Sequence, residues 1–498
     1  VVEDVKVFPE EIVIENFKSI RRITLRLKPG INLLVGPNRA GKTNILEAIY
    51  FLSRAISREE LLKIPYTPHL PHYWSPEDIF FMKNIENPIR YDILLRVTTR
   101  FKDKYVKHHI KTSIAFTITP DRSSIEPAQL TLDFRTSKLI FTENSIDVFI
   151  NREYLDKYLE ILNEYNKLRL TSRDLSKRTV DKLIDMLTRL KKLSQESKDN
   201  FLQLYSIPVK ETKFMRKLLL LDPSFIFSFR YIRTFMIDKG ITLNILLPSP
   251  SIIRRATHVG PIPLMILYEP SDSTEFKGYE GYSTGLLEFY DIVRYLENVL
   301  GKVVLLKHPD IGAISEPQAF GVSERLDVRV RNLPQILYRL AAERRVDVVE
   351  EFLRKVFGDI SLEFRSVANR VFFVVREGSV ELPPPNVADG IIKVLAIATA
   401  VELKPSILLI DEIENSLHVE AIQKVFDFLN NLEIPVVVAT HSPAIIDLVD
   451  LDRVVIVSRG SDGSTSIEYV EDVEAVRKKL LELGVSHSEY ILYGRTVK

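Results

Sequence analysis

The sequence predicts an α/β protein: a mostly parallel sheet, an antiparallel β lobe, and an inserted, largely helical region between the two halves of the fold. Three observations lead there. A glycine-rich phosphate-loop pattern follows an apolar strand near the start of the chain. A second apolar run ends in two acids near the other end. Strand and helix signals alternate around both, which argues for parallel pairing.

The elements follow in order. Glu11 to Phe17 reads as a strand, Ile23 to Leu27 as its return, and Ile31 to Val35 as a buried apolar strand. An amphipathic helix is expected from Lys42 to about Arg54. Residues 92–98 and 108–150 alternate apolar and polar side chains, as half-buried strands do. Tyr154, Leu155, Tyr158, Leu159, Leu162 and Tyr165 then recur at helical spacing, and a second helix carries Val180, Leu183, Ile184, Leu187 and Leu190. Prolines and glycines punctuate 223–330, with helices expected at 285–300 and 333–357. A hairpin at 361–382, a helix from about Asp389 to Leu403, a strand at Ile407–Ile410, a helix at 418–431 and a strand at Val436–Ala439 complete the pattern. The expected division is an N-terminal lobe at 1–150, an inserted region at 151–358 that is helical at 152–222, and a C-terminal lobe at 359–498.

Composition narrows the function classes. The 498 residues carry 68 Lys and Arg against 67 Asp and Glu, a net charge of +1. That excludes nucleic-acid binding through bulk positive charge and leaves local basic patches open. There is no cysteine, so disulfides, thiolate zinc sites, cysteine-ligated clusters and cysteine nucleophiles are excluded. No run of about 18 apolar residues suggests a membrane helix, and Val1 to Glu11 is unlike a signal peptide. A cytoplasmic protein is expected.

Gly36-Pro37-Asn38-Arg39-Ala40-Gly41-Lys42-Thr43 fits G-x-x-x-x-G-K-[ST] in its required strand–loop–helix setting. Backbone N–H groups and a helix N-terminus form an anion cradle there. Lys42 would neutralise the β- and γ-phosphates of ATP, and Thr43 would ligate Mg²⁺. In Ile407-Leu408-Leu409-Ile410-Asp411-Glu412 a buried strand places its acids at the sheet's carboxyl edge, where open α/β sheets bind ligands. Asp411 would join the Mg²⁺ shell, and Glu412 would orient and deprotonate the attacking water. Alone, the same pair also reads as a solvated helix start. His441, at the end of the next strand, reads either as a γ-phosphate contact or as a cap of the turn before Pro443.

Together these residues resemble the ABC-class ATPase heads of the RecF, SMC and OLD families. Ile14-Glu15-Asn16-Phe17-Lys18-Ser19-Ile20 resembles their N-terminal strand signature, and Gly41 to Tyr50, which includes Asn44, is especially similar to RecF. Asp411-Glu412-Ile413-Glu414-Asn415-Ser416-Leu417-His418 is similar to the Walker B and D-loop of OLD-like ATPases, and Ala439-Thr440-His441-Ser442-Pro443 to their switch histidine. Most of the chain separates Lys42 from Asp411, as in heads split by an insertion. Ala388-Asp389-Gly390 resembles the signature Ser-Asp-Gly, with alanine in the serine's place. The usual glutamine loop has no counterpart before residue 129.

The resemblance implies a split ABC-type head that dimerises head to head around ATP and Mg²⁺, as a homodimer or a higher homo-oligomer. Each nucleotide would touch Lys42, Thr43, Asp411 and Glu412 of one subunit, and Asp389 and Gly390 of the other. Slow turnover coupled to double-stranded DNA, in repair or in defence against mobile elements, is the first expectation. A scaffold that holds a separate nuclease or toxin effector is the second. The third is the ATPase part of an OLD-family nuclease, because Glu489 to Lys498 resembles the segment leading into a TOPRIM domain. Basic groups such as Arg21, Arg22, Arg26 and Lys28 read first as solvated faces; on a dimer face they would track phosphates without reading bases.

Overall fold

The computed structural model describes residues 3–57, 61, 75–101, 104–133, 137–156, 158–160, 163, 177–194, 199–209, 229–237, 241–248, 264–268, 299–321 and 323–492. Much of the first predicted helix after residue 154, and nearly all of that predicted at 285–300, lie outside this set.

The N-terminal part builds an antiparallel lobe. Strands β1 (Glu3–Phe17), β2 (Ile20–Arg26), β4 (Ile89–Phe101), β5 (Lys104–Ile118), β6 (Ile125–Asp133), β7 (Ser137–Thr142), β8 (Ser145–Asn151) and β9 (Phe201–Pro208) form one sheet in the order β2-β1-β4-β5-β6-β7-β8-β9. Strand β3 (Gly30–Val35) leaves that lobe for a second sheet and leads into helix α1 (Lys42–Ile56).

The second sheet carries the site. Its order is β13 (Val303–Leu306), β18 (Ile407–Asp411), β19 (Pro435–Thr440), β3, β20 (Val454–Arg459) and β21 (Thr465–Tyr469). All neighbours pair parallel except β20 and β21, which form a hairpin. Successive side chains on a strand point to opposite faces, and here both faces are covered. Leu34, Leu409, Val437 and Ala439 pack with α1 and the antiparallel lobe. Leu33, Val35, Leu408, Ile410, Val436 and Val438 pack on the opposite side. That side is covered by helices α3 (Leu333–Ala342), α4 (Val346–Phe357), α5 (Asp389–Glu402) and α6 (Val419–Asn430). Helix α2 (Lys177–Leu193) lies against the antiparallel lobe through Leu187. Each such Leu, Ile or Val contributes about 1.5–3 kcal/mol on full burial.

Two smaller sheets complete the described fold. Strands β10 (Phe229–Ile237), β11 (Ile241–Pro248) and β12 (Leu264–Tyr268) form one. Strands β14 (Gln318–Ala319), β15 (Ile360–Val367), β16 (Arg370–Glu377) and β17 (Val380–Leu382) form the other.

The structure differs from the sequence expectation inside 151–358. Residues 201–208, expected to be helical, are a strand: Leu202 and Leu204 turn inward while Gln203 turns out, a period of two. Residues 303–306 are the edge strand of the site-bearing sheet and belong structurally with β18. No helix among the described residues is long and apolar enough to cross a membrane.

Candidate functional site

The parallel register brings four strand ends level. Asp411 pairs with Ala439, Thr440 with Val35, and Leu306 with Ile410. The residues that follow these ends therefore share one edge of the sheet.

The loop between β3 and α1 is shaped by close contact with the β20–β21 hairpin. Gly41 caps α1 at φ 107, a left-handed conformation that side chains resist. A Cβ on Gly41 would lie 2.0 Å from Thr465 Oγ1, and one on Gly36 would lie 2.1 Å from the Val457 carbonyl oxygen. Helix α1 has no side-chain cap and no acid in its first turn, so its N-terminal amides and dipole remain available to an anion. Lys42 Nζ donates to the carbonyls of Gly36 at 2.7 Å and Pro37 at 3.0 Å. Burial lowers its pKa, against the pull of Asp411, Glu414 and Glu412. A phosphate would supply the counter-charge this ammonium lacks. Asn38 and Arg39 form the loop's turn, with Arg39 at φ 68. Asn44 turns away, donating to Ser19 Oγ.

Thr43 Oγ1 donates to Asp411 Oδ2 at 3.0 Å across 368 residues of sequence. Burial raises the Asp411 carboxyl, opposed by the Thr43 hydrogen bond and by Lys307. A hydroxyl and one carboxylate are hard oxygen donors that suit Mg²⁺, which takes its remaining ligands from phosphate and water. No cluster of three or more His, Cys, Asp or Glu with metal-binding geometry occurs among the described residues. A cation here would depend on the nucleotide.

Past Asp411 the chain turns sharply. Glu412 sits at φ 50, its N–H donates to the Ala439 carbonyl at 3.0 Å, and its carboxylate accepts from Asn415 Nδ2 at 2.8 Å. His441 faces Glu414, with Nδ1 3.1 Å from Glu414 Oε1. Asp389 and Gly390 stand at the start of α5. A Cβ on Gly390 would meet the Ser416 carbonyl at 2.5 Å, so this helix end abuts the loop after Glu412. No hydrogen bond joins either residue to the phosphate loop among the described residues.

Several site residues escaped the sequence reading. Glu47 of α1 is 3% exposed and is held by Lys18 and Lys307, each at 2.5 Å. Burial would raise its carboxyl, but the two ammonium groups outweigh burial and hold it low. Lys307 follows an apolar quartet, as Asp411 does, and that pattern was the available signal. Lys393 is 5% exposed on α5 and donates to the Glu412 carbonyl at 2.6 Å. Burial pulls its pKa down to about 8, against Glu414, Glu412 and Asp411. A lone lysine in Ile391-Ile392-Lys393-Val394-Leu395 was its signal.

Residues 10–218 match the family described as AAA ATPase domain. Residues 267–447 match the family described as AAA domain, putative AbiEii toxin, Type IV TA system. The chain is 55% identical over 40 residues to the DNA replication and repair protein RecF of Roseiflexus castenholzii, covering 8% of this chain and 10% of that protein. It is 43% identical over 51 residues to RecF of Vibrio vulnificus, covering 10% and 14%. The match thus spans little more than a tenth of these relatives' length. Among solved structures, the Smc head domain of Pyrococcus furiosus, with an extended coiled coil and bound to the C-terminal domain of ScpA, aligns over 96% of this chain and 100% of that one, at 12% identity and a TM-score of 0.38. At that score the likeness carries no argument, and the fold assignment rests on the strand order itself.

The fold and the phosphate loop define a P-loop ATPase. The two ATPase-domain matches and the short RecF matches make this chain similar to ABC-class P-loop ATPases of the RecF type. ATPases of this kind bind nucleotide and usually Mg²⁺.

Proposed function

We propose that this chain binds and hydrolyses ATP and closes into a head-to-head dimer around it, coupled to DNA. The observation that carries the catalytic reading is the 3.0 Å contact of Thr43 with Asp411, which unites the two distant motifs at one sheet edge. Lys42 and the loop amides hold the β- and γ-phosphates. Thr43 and Asp411 would hold Mg²⁺, which when bound neutralises phosphate charge. Glu412 orients the attacking water and takes its proton, and His441 contacts the γ-phosphate. The work is positioning and charge neutralisation.

The exposed start of α5 supports the dimer. Ala388 makes no side-chain cap, so the first amides of α5 are available, and Asp389 faces solvent. In this reading they meet the partner's nucleotide. ATP then favours the closed state because it contacts both subunits. The RecF likeness supports coupling to DNA. A second reading, a nucleotide-gated scaffold for a toxin or nuclease, is supported by the family description matched at 267–447.

Steady-state ATP hydrolysis, with and without double-stranded DNA, tests both readings. Wild-type turnover should rise with DNA, Glu412→Gln should bind ATP without turning it over, and Lys42→Ala should not bind it. Turnover indifferent to DNA selects the scaffold. Full turnover in Glu412→Gln removes that residue from the base role.

A further inference from the structure

Two neighbouring acids beyond β18 are held in different ways. The Glu412 carboxylate accepts from Asn415 of its own loop. The Glu414 carboxylate reaches the adjacent strand. Its Oε1 accepts from Thr440 Oγ1 at 2.8 Å and from the His441 backbone N–H at 3.1 Å, and lies 3.1 Å from His441 Nδ1. Its side chain is 13% exposed. Its Oε2 is buried with no hydrogen-bond partner among the described residues. One oxygen thus takes two hydrogen bonds and a close contact with His441 Nδ1, while the other is left over. That arrangement is aimed at the end of β19 and does not simply satisfy Glu414.

An ionised carboxylate can only accept a hydrogen bond. A ring nitrogen 3.1 Å from such an acceptor is best matched as an N–H, which leaves Nε2 for a ligand. His441 is half exposed, and no other ion pair anchors its ring among the described residues. Without Glu414 the ring would rotate about its side-chain bonds and exchange tautomers.

We propose that Glu414 is the positioning residue for His441, fixing the imidazole by its Nδ1–H so that Nε2 is presented to the γ-phosphate. This deepens the ATPase reading and rests on it. In the bound state the ring would stand between two acceptors, Glu414 on the Nδ1 side and a phosphate oxygen on the Nε2 side.

The test pairs a mutant cycle with a spectroscopic readout. Glu414→Ala should lower kcat for ATP at least tenfold while KM changes less than threefold, and His441→Ala should do the same. The double variant should be no worse than His441→Ala alone, because residues acting as a unit are non-additive. Glu414→Gln retains an acceptor oxygen and should restore most of the turnover. Losses that multiply in the double variant overturn the proposal.

Ring-¹⁵N histidine spectra of the nucleotide-free chain, assigned with His441→Ala, provide the second readout. They should show His441 protonated at Nδ1 in the wild type and in Glu414→Gln, and a tautomer mixture in Glu414→Ala. Unchanged His441 shifts in Glu414→Ala overturn the proposal without reference to turnover. A wild-type chain with no ATP hydrolysis removes the ATPase reading instead, and the spectra still decide the positioning role. If Glu414→Ala does not fold, Glu414→Asp replaces it in both measurements, because it withdraws the carboxylate by one methylene.

Discussion

Lys393 is a cation placed inside an apolar helix, and its energetics follow from that. Its amine donates to the Glu412 carbonyl, which ties α5 to the turn that carries Glu412. Burial pulls its pKa to about 8 from 10.5. Below about 8 folded and unfolded chains both hold the proton, and the cost of the buried charge is full. Between about 8 and 10.5 the folded chain has released a proton that the unfolded chain still binds. The contribution of Lys393 to stability therefore rises with pH across this window. In denaturant melts, the stability of wild type minus that of Lys393→Met should increase from pH 7 to pH 10. A flat difference would show that Lys393 titrates normally, and a falling one that its pKa is raised on folding. Other residues at this scale were legible because their constraint is local. Gly41, Lys42 and Thr43 act through a loop written in consecutive positions, and Asp411 and Glu412 through an apolar run that ends where they begin.

Three elements meet at Glu47: the β1–β2 turn through Lys18, helix α1 through Glu47 itself, and the end of β13 through Lys307. Removing one member of a buried charge group strands the others, at a cost of about 3–5 kcal/mol. Glu47→Ala leaves two ammonium groups, each only 14% exposed at its side chain, with no shared counter-charge. Urea unfolding should show a loss of about that size, and a loss under ~1 kcal/mol would mean the lysines relax into water. Legibility at this scale was uneven. The helix at Asp389–Glu402 and the strands at Ile407–Asp411 and Pro435–Thr440 fall close to where periodicity put them. Phe201–Pro208 did not, because a strand that completes a sheet edge is set by its neighbour β8 and lay beside strong helical periodicity. Val303–Leu306 is too short for periodicity to separate strand from helix.

At the scale of the whole molecule, no hydrogen bond joins the start of α5 to the phosphate loop among the described residues, and the proposed dimer would use both. In size-exclusion chromatography, Glu412→Gln should elute as a dimer with ATP and Mg²⁺ and as a monomer with ADP. Elution at one position in both nucleotides would separate ATP binding from assembly.

The sequence by itself carried the phosphate-loop pattern, the acids that end an apolar run, and the alternation of strands and helices. Each of these is a short-range pattern of backbone freedom, apolar spacing and terminal charge. Only the tertiary structure decided which acid meets His441, which lysines surround Asp411, and why Gly36 and Gly41 admit no side chain. Those outcomes depend on strand order, on the left-handed turn at Glu412 and on the approach of the Thr465 hairpin. They are contacts between segments hundreds of residues apart, where no local spacing carries information about direction.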